Sequence, residues 1–217
     1  SCRCTPFGLF SRVGLGSFDK LRIAIPVSEK IRDTKLDMHF LVTLAQHFVQ
    51  LEEIRTQLLF FPNNSIYKVG RKIRYVEYQY SEGKREYIIS SAPLSEELQQ
   101  VLHFSKQGRT IDEIAGILVN EETATWEAEE FLEELISNQV LVSELEPNVS
   151  GNDFLDTIIA VLNKIKANDK AEILINIKNK LNELDQIIGN PASKYTEIES
   201  LIKKLNIKYE QKYETDL

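Results

Sequence analysis

Cysteine and histidine are scarce in this 217-residue chain, and long apolar runs are missing altogether. Cys2 and Cys4 stand too close for an ordinary disulfide, and two thiolates alone do not fill a zinc site. They read as reduced thiols in a cytoplasmic setting. His39, His47 and His103 are scattered, and the first two are not at the four-residue spacing of a helical metal pair. No metal or cofactor is expected. Runs such as residues 158–162 are far too short to span a bilayer, and no signal peptide is visible. Gly14-Leu15-Gly16 lacks the third glycine and the following helix of a nucleotide loop. It reads as a strand whose small residues permit close packing. Internal repeats and low-complexity tracts are also missing.

The chain opens at once on Arg3-Cys4-Thr5-Pro6-Phe7-Gly8-Leu9-Phe10. A charge, a hydroxyl, a proline-fixed bend and three large apolar side chains are what the middle of a fold looks like. The expectation is a piece of a larger protein. The residue before Pro6 is biased toward extended backbone, and residues two apart on a strand share a face. Arg3 and Thr5 would then project together, a pairing that can hold a phosphate or an oxyanion. The plainer reading is packing around Pro6.

Net charge is −7, unevenly spread. Residues 1–90 carry 14 Lys and Arg against 9 Asp and Glu; residues 91–138 carry 2 against 11; residues 139–217 carry 10 against 13. The front could face a polyanion, and the middle would repel one.

Residues 11–18 and 21–27 read as two short strands. Residues 36–54 read as one amphipathic helix with Met38, Leu41, Ala45, Phe48 and Leu51 inward. Asp37 is placed to cap it. A catalytic role for that carboxylate is the less simple local reading. Phe61-Pro62-Asn63-Asn64 marks a boundary. Strands follow at 66–69, 71–80 and 86–91, with a glycine-containing turn at 81–84. Helices are expected at about 94–106, after Thr110 in a capping box with Glu113, and after Thr123 as a cap. A closing strand sits at 140–142. Three strands, three helices and a strand define a winged helix-turn-helix arrangement. Helices at 155–165, 171–188 and 195–205 complete an α+β chain. The divisions are 1–64, 65–146 and 147–217.

A winged helix suggests DNA, but the third helix exposes Glu127, Glu129, Glu130, Glu133 and Glu134, which phosphates would oppose. Tyr75, Tyr78, Tyr80 and Tyr87 could stack bases, although half-buried strand aromatics are commoner. The other use of this arrangement is strand addition. An extended peptide pairs with the open edge of the third strand at Tyr87, Ile88, Ile89 and Ser90, beside Ala128, Phe131, Leu132 and Leu135 of the third helix. The competing reading is that the chain itself covers this edge. The two weigh about equally here.

These residues resemble a known family. The opening octapeptide with Gly14-Leu15-Gly16 resembles the R-x-T-P-F-G-L-F…G-x-G signature of class I lanthipeptide (lantibiotic) dehydratases. Lys35-Leu36-Asp37-Met38 is similar to its R-L-D-M segment. Tyr67-Lys68-Val69-Gly70 and Ile73-Arg74-Tyr75-Val76-Glu77-Tyr78 resemble its paired strands. The stretch from Leu135-Ile136 to Leu145-Glu146-Pro147 resembles its L-I-x-x-x-L-L-V-S-x-L-E-P. The ordered matches run from Arg3 to about Pro147. The resemblance implies an enzyme that uses glutamyl-tRNA as co-substrate to esterify Ser and Thr of a precursor peptide, before elimination to dehydroamino acids. It also implies a winged-helix recognition element that holds the leader as an added strand. Arg3 and Thr5 would belong to the glutamylation site, with Asp37 beside them. Arg3 would fix a tRNA phosphate or an oxyanion, and Thr5 would position the reacting ends.

The chain departs from the pattern in three ways. A second arginine expected about four residues before Arg3 falls outside it, the elimination domain is absent, and Cys4 is not the usual residue there. By itself the fragment is expected to be inactive. The partners implied are the leader peptide and tRNA, without DNA or a transmembrane segment, and with a homodimer of the full-length enzyme as a possible assembly. The alternatives are a peptide aminoacyl-tRNA ligase of the same family and a non-catalytic peptide-binding scaffold.

Overall fold

The computed structural model describes residues 33–81, 84–120, 123–147, 151–187 and 189–207. The strands expected before residue 30, with Arg3 and Thr5, lie outside the described residues, as does the tail after residue 207.

Helix α1, Met38–Gln50, begins where Asp37 caps it. The Asp37 Oδ1 accepts from the His39 N–H at 2.7 Å and the Phe40 N–H at 3.3 Å. The expected helix over 36–54 is two helices. Leu51 is extended (φ −76°, ψ 117°), and α2, Glu52–Arg55, starts after it. Beyond that break Ile54 and Leu58 are fully buried. The buried face of α1 is Phe40, Leu41, Val42, Leu44, Ala45 and Phe48, whereas Met38, expected inward, is 44% exposed.

Strand β1, Phe60–Pro62, comes next. A three-stranded antiparallel sheet follows, built from β2 (Tyr67–Val69), β3 (Lys72–Ser81) and β4 (Lys84–Pro93) in that order. Ile73 and Tyr75 point from β3 into the core. Helix α3, Glu96–Phe104, is capped by Ser95 and ends in a short 3-10 turn, Ser105–Gln107. Helix α4, Ile111–Leu118, starts at the anticipated capping box. The Glu113 carboxylate accepts from the Thr110 N–H at 2.9 Å, and the Thr110 hydroxyl from the Glu113 N–H at 3.3 Å. Helix α5, Thr125–Ser137, is capped one residue later than expected. Glu127 accepts from the Ala124 N–H at 2.8 Å, while the Thr123 N–H is taken by Asn120.

The short strand after α5, β5 (Leu141–Ser143), does not join the three-stranded sheet. It pairs antiparallel with β1, Phe60 opposite Ser143 and Pro62 opposite Leu141. That pairing crosses the division anticipated at 64. Phe60 also exchanges backbone hydrogen bonds with Arg109 at 2.8 and 3.2 Å. Next to that exchange, Gly108 has φ +77° and ψ 132°, and a Cβ there would stand 2.5 Å from the Phe61 ring. The backbone penalty for a side-chain-bearing residue is about 1–3 kcal/mol, and the clash adds to it. Gly108→Ala is therefore expected to lower unfolding stability by roughly 2–4 kcal/mol, read as a shifted urea midpoint at constant m-value. An unchanged midpoint would show that the β1 contact is not rigid.

Helices α6 (Phe154–Lys164), α7 (Asn168–Gln186) and α8 (Ala192–Lys204) form the rest. Phe40 and Phe48 of α1, Phe60 of β1, Leu132 of α5, Ile158 of α6 and Ile177 of α7 belong to one continuous core, so all three anticipated divisions share it. The entry to α1 is tied onto the C-terminal helices. Thr34 donates its N–H and hydroxyl to the two Asp185 oxygens at 2.8 and 2.6 Å, and Lys35 pairs with Asp153 at 3.1 Å. Hydrogen bonding to Asp153 and the charges of Asp153 and Asp33 hold the Lys35 ammonium above its usual pKa. The fold class is α+β, with small antiparallel sheets and, among the described residues, eight α-helices. No helix among them is long and apolar enough to cross a membrane.

Candidate functional site

The two long edges of the three-stranded sheet are finished differently. Strand β2 covers β3 only from Lys72 to Arg74. Beyond it the β3 backbone is sealed by side chains. The Val76 N–H donates to the Ser65 hydroxyl at 2.8 Å, and the Val76 carbonyl accepts from the Asn63 amide at 2.9 Å. Gln139 then imitates a strand residue. Its side-chain oxygen accepts from the Tyr78 N–H at 3.0 Å, and its amide donates to the Tyr78 carbonyl at 2.8 Å. Gln139 holds a positive φ of 55° at the end of α5 while doing so.

These bonds fix the parity of the sheet. Val76 and Tyr78 turn their backbone groups away from β4. Backbone groups alternate sides along a strand, so Tyr75, Glu77 and Gln79 turn theirs toward it. Their register partners are Ser90, Ile88 and Glu86. The remaining β4 residues, Arg85, Tyr87, Ile89 and Ser91, direct their N–H and C=O groups outward. No described strand pairs with that side.

The same residues carry the exposed apolar surface. Tyr87 is 65% and Ile89 is 69% exposed, and Val76, opposite Ile89, is 39% exposed. A strand that is open in its backbone and apolar in its side chains is an adhesive edge unless something covers it. Its Lys84 end is held in place. The Arg85 guanidinium lies 3.5 Å over the Tyr78 ring and donates to Glu146 at 3.0 Å. Burial pushes the Glu146 carboxyl above the usual range, against the pull of Arg85. Tyr78 meets Tyr87 edge-on at 6.4 Å, and its hydroxyl accepts from the Gln46 side chain of α1 at 2.9 Å.

Of the residues expected to bind peptide, Tyr87, Ile88, Ile89 and Ser90 all lie on this edge strand. Only Tyr87 and Ile89 offer outward backbone groups; Ile88 and Ser90 spend theirs on β3. The helix residues are placed differently from the expectation. Ala128, Leu132 and Leu135 are buried in the core, with α5 packed chiefly on α4 and β5. They have no free surface for a ligand. Phe131 is half-buried, and Glu127, Glu129, Glu130, Glu133 and Glu134 are exposed. Asp37 is the α1 cap described above. The sealing residues Ser65, Asn63 and Gln139 escaped sequence reasoning, because a polar residue next to a turn carries no mark of the strand it will imitate. Among the described residues no group of His, Cys, Asp and Glu is placed to hold a metal.

The described residues thus form an α+β fold whose three-stranded sheet has one edge sealed by side chains and one edge that no described strand covers. The model of the family "Lantibiotic dehydratase, N terminus" matches residues 1–217, and the chain belongs to that family. It is 26% identical over 213 residues to the epidermin biosynthesis protein EpiB of Staphylococcus epidermidis, covering 94% of this chain and 21% of that protein. The chain thus spans about a fifth of the length of that relative. Its fold is similar to that of the tRNA-dependent lantibiotic dehydratase MibB from Microbispora sp. 107891. The TM-score is 0.57 at 15% identity, over 78% of this chain and 17% of MibB.

Proposed function

We propose that this chain is the part of a lantibiotic dehydratase that recognises the precursor peptide and contributes to its glutamylation from glutamyl-tRNA. The observation that carries the reading is the outward-facing ladder of Tyr87 and Ile89, left open while the other edge is sealed by Ser65, Asn63 and Gln139. An extended leader peptide pairs with that ladder as a fourth strand and sets alternate side chains against Tyr87, Ile89 and Val76. The order of β2–β4 followed by α3–α5 supports reading this module as a winged helix-turn-helix, with β5 diverted to β1. The acidic exposed face of α5 disfavours DNA. The tRNA dependence named for MibB and the family itself support glutamyl-tRNA as co-substrate. Arg3, Thr5 and Asp37 are the residues of the glutamylation site in this proposal.

The experiment is a titration of the chain with the leader of a precursor peptide encoded at the same locus, alongside the same peptide N-methylated at alternate backbone amides. Saturable binding, lost in one methylation register and kept in the other, is the expected result. Equal binding of both methylated peptides would remove strand addition. Mass spectrometry of the product separates a transient glutamyl ester from the stable amide that a peptide aminoacyl-tRNA ligase would leave.

A further inference from the structure

From Thr56 to Val76 the chain contains no carboxylate, yet it carries Lys68, Arg71, Lys72 and Arg74. All four are exposed, in a protein whose net charge is −7. They gather at the end of the β2–β3 hairpin, where Val69 stands opposite Lys72 and Tyr67 opposite Arg74. Gly70, with φ +61°, makes the turn between them. The continuing row on β4, Ser91 opposite Arg74 and Pro93 opposite Lys72, is uncharged. The nearest carboxylates along the chain are Glu53 before the hairpin and Glu77, Glu82 and Glu86 after it, with Glu96 and Glu97 in the first turn of α3 further on. Among the described residues none of them pairs with the four cations. Elsewhere exposed cations do find partners, as in Lys164 with Glu144 and Lys203 with Glu199, and so do the half-buried Arg55 with Glu133 and Lys180 with Glu197.

We propose that the end of the β2–β3 hairpin holds phosphates of the tRNA. This rests on the tRNA-dependent reading above and deepens it by placing the RNA contact on this hairpin, away from the peptide edge of β4. Alternation along the strands puts Lys72 and Arg74 on one face, roughly 7 Å apart, and Lys68 on the opposite face. Arg71 sits at the turn. Charge that surrounds a projecting hairpin follows a phosphate backbone on several sides. A membrane plane would engage only one of those faces. The half-exposed Tyr67, opposite Arg74, adds an aromatic ring beside the charge.

The test compares the intact protein with a variant carrying Lys68→Gln, Arg71→Gln, Lys72→Gln and Arg74→Gln. Each binds a glutamate tRNA transcript between about 50 and about 200 mM salt. Each lost phosphate contact removes about 0.7–0.9 from the slope of log affinity against log salt. The expected result is a slope flatter by about 3 and affinity at least about tenfold lower at the low-salt end. Leader affinity and the unfolding midpoint should stay the same, which a merely structural role would not allow. If the wild-type protein binds tRNA and the variant matches it in affinity and slope, the hairpin assignment falls and the tRNA reading stands. If the wild-type protein binds no tRNA, both fall. Transfer of the wild-type protein, but not the variant, onto phosphatidylglycerol vesicles without tRNA binding would assign the patch to a lipid surface and also overturn the proposal.

Discussion

Ile89→Pro is expected to weaken leader-peptide binding by roughly thirtyfold, about 2 kcal/mol, with little change in the folded protein. The outward N–H of Ile89 is one donor of the open ladder, and proline removes it. A hydrogen bond contributes about 0.5–1.5 kcal/mol net, and the apolar side chain covered by the peptide adds to that. Proline is tolerated at a position whose N–H faces solvent from an edge strand. Ile88→Pro, one residue earlier, should behave in the opposite way. The Ile88 backbone faces Glu77 across the β3–β4 ladder. Its loss should destabilise the hairpin by about 2–4 kcal/mol, so that binding disappears because the site does. Calorimetric titration and thermal unfolding of the two variants separate the effects. Should Ile89→Pro destabilise the protein as strongly as Ile88→Pro, the chain itself occupies the edge and the peptide binds elsewhere.

The contrast between neighbouring residues shows what the sequence could and could not convey. Alternating β-prone residues over 86–91 announced a strand, and the glycine at 83 announced the reversal before it. The parity of the ladder was not legible. It depends on which side of β3 accepts the Ser65, Asn63 and Gln139 side chains, and these come from a loop and a helix end far apart in the chain. Helix α4 was readable because the Thr110–Glu113 box is local chemistry. The break at Leu51 was not, since the apolar spacing runs on through it, and only the core decides that Ile54 and Leu58 turn inward. The α5 stripe was correctly seen as apolar at helical spacing, but spacing cannot tell a core stripe from a groove wall. Ala128, Leu132 and Leu135 are core. Charge placement was legible in gross form as a cationic front and an acidic middle. The hairpin geometry sharpens it, because it concentrates four cations at one turn and leaves the edge residues Tyr87 and Ile89 apolar.

Arg3→Ala in the intact enzyme is expected to lower glutamylation by at least about a hundredfold, while leader affinity stays the same. Removing one preorganised donor to a developing oxyanion or a clamped phosphate typically costs that much. The expectation rests on the proposed assignment of Arg3 and Thr5 to the glutamylation site, which comes from their resemblance to the R-x-T-P signature. Asp37 needs a subtler variant, because it has a structural duty in hand. Its Oδ1 caps α1, and Asp37→Ala would forfeit about 1 kcal/mol of helix stability whatever the chemistry. Asparagine caps a helix as well as aspartate does. Asp37→Asn should therefore keep the unfolding midpoint and still lose glutamylation if the carboxylate serves the reaction. Single-turnover transfer from glutamyl-tRNA to the precursor, read by mass spectrometry beside thermal unfolding, makes the separation. An Arg3→Ala enzyme with wild-type turnover would end the catalytic assignment. An Asp37→Asn enzyme with wild-type turnover would leave that carboxylate as a helix cap and nothing more.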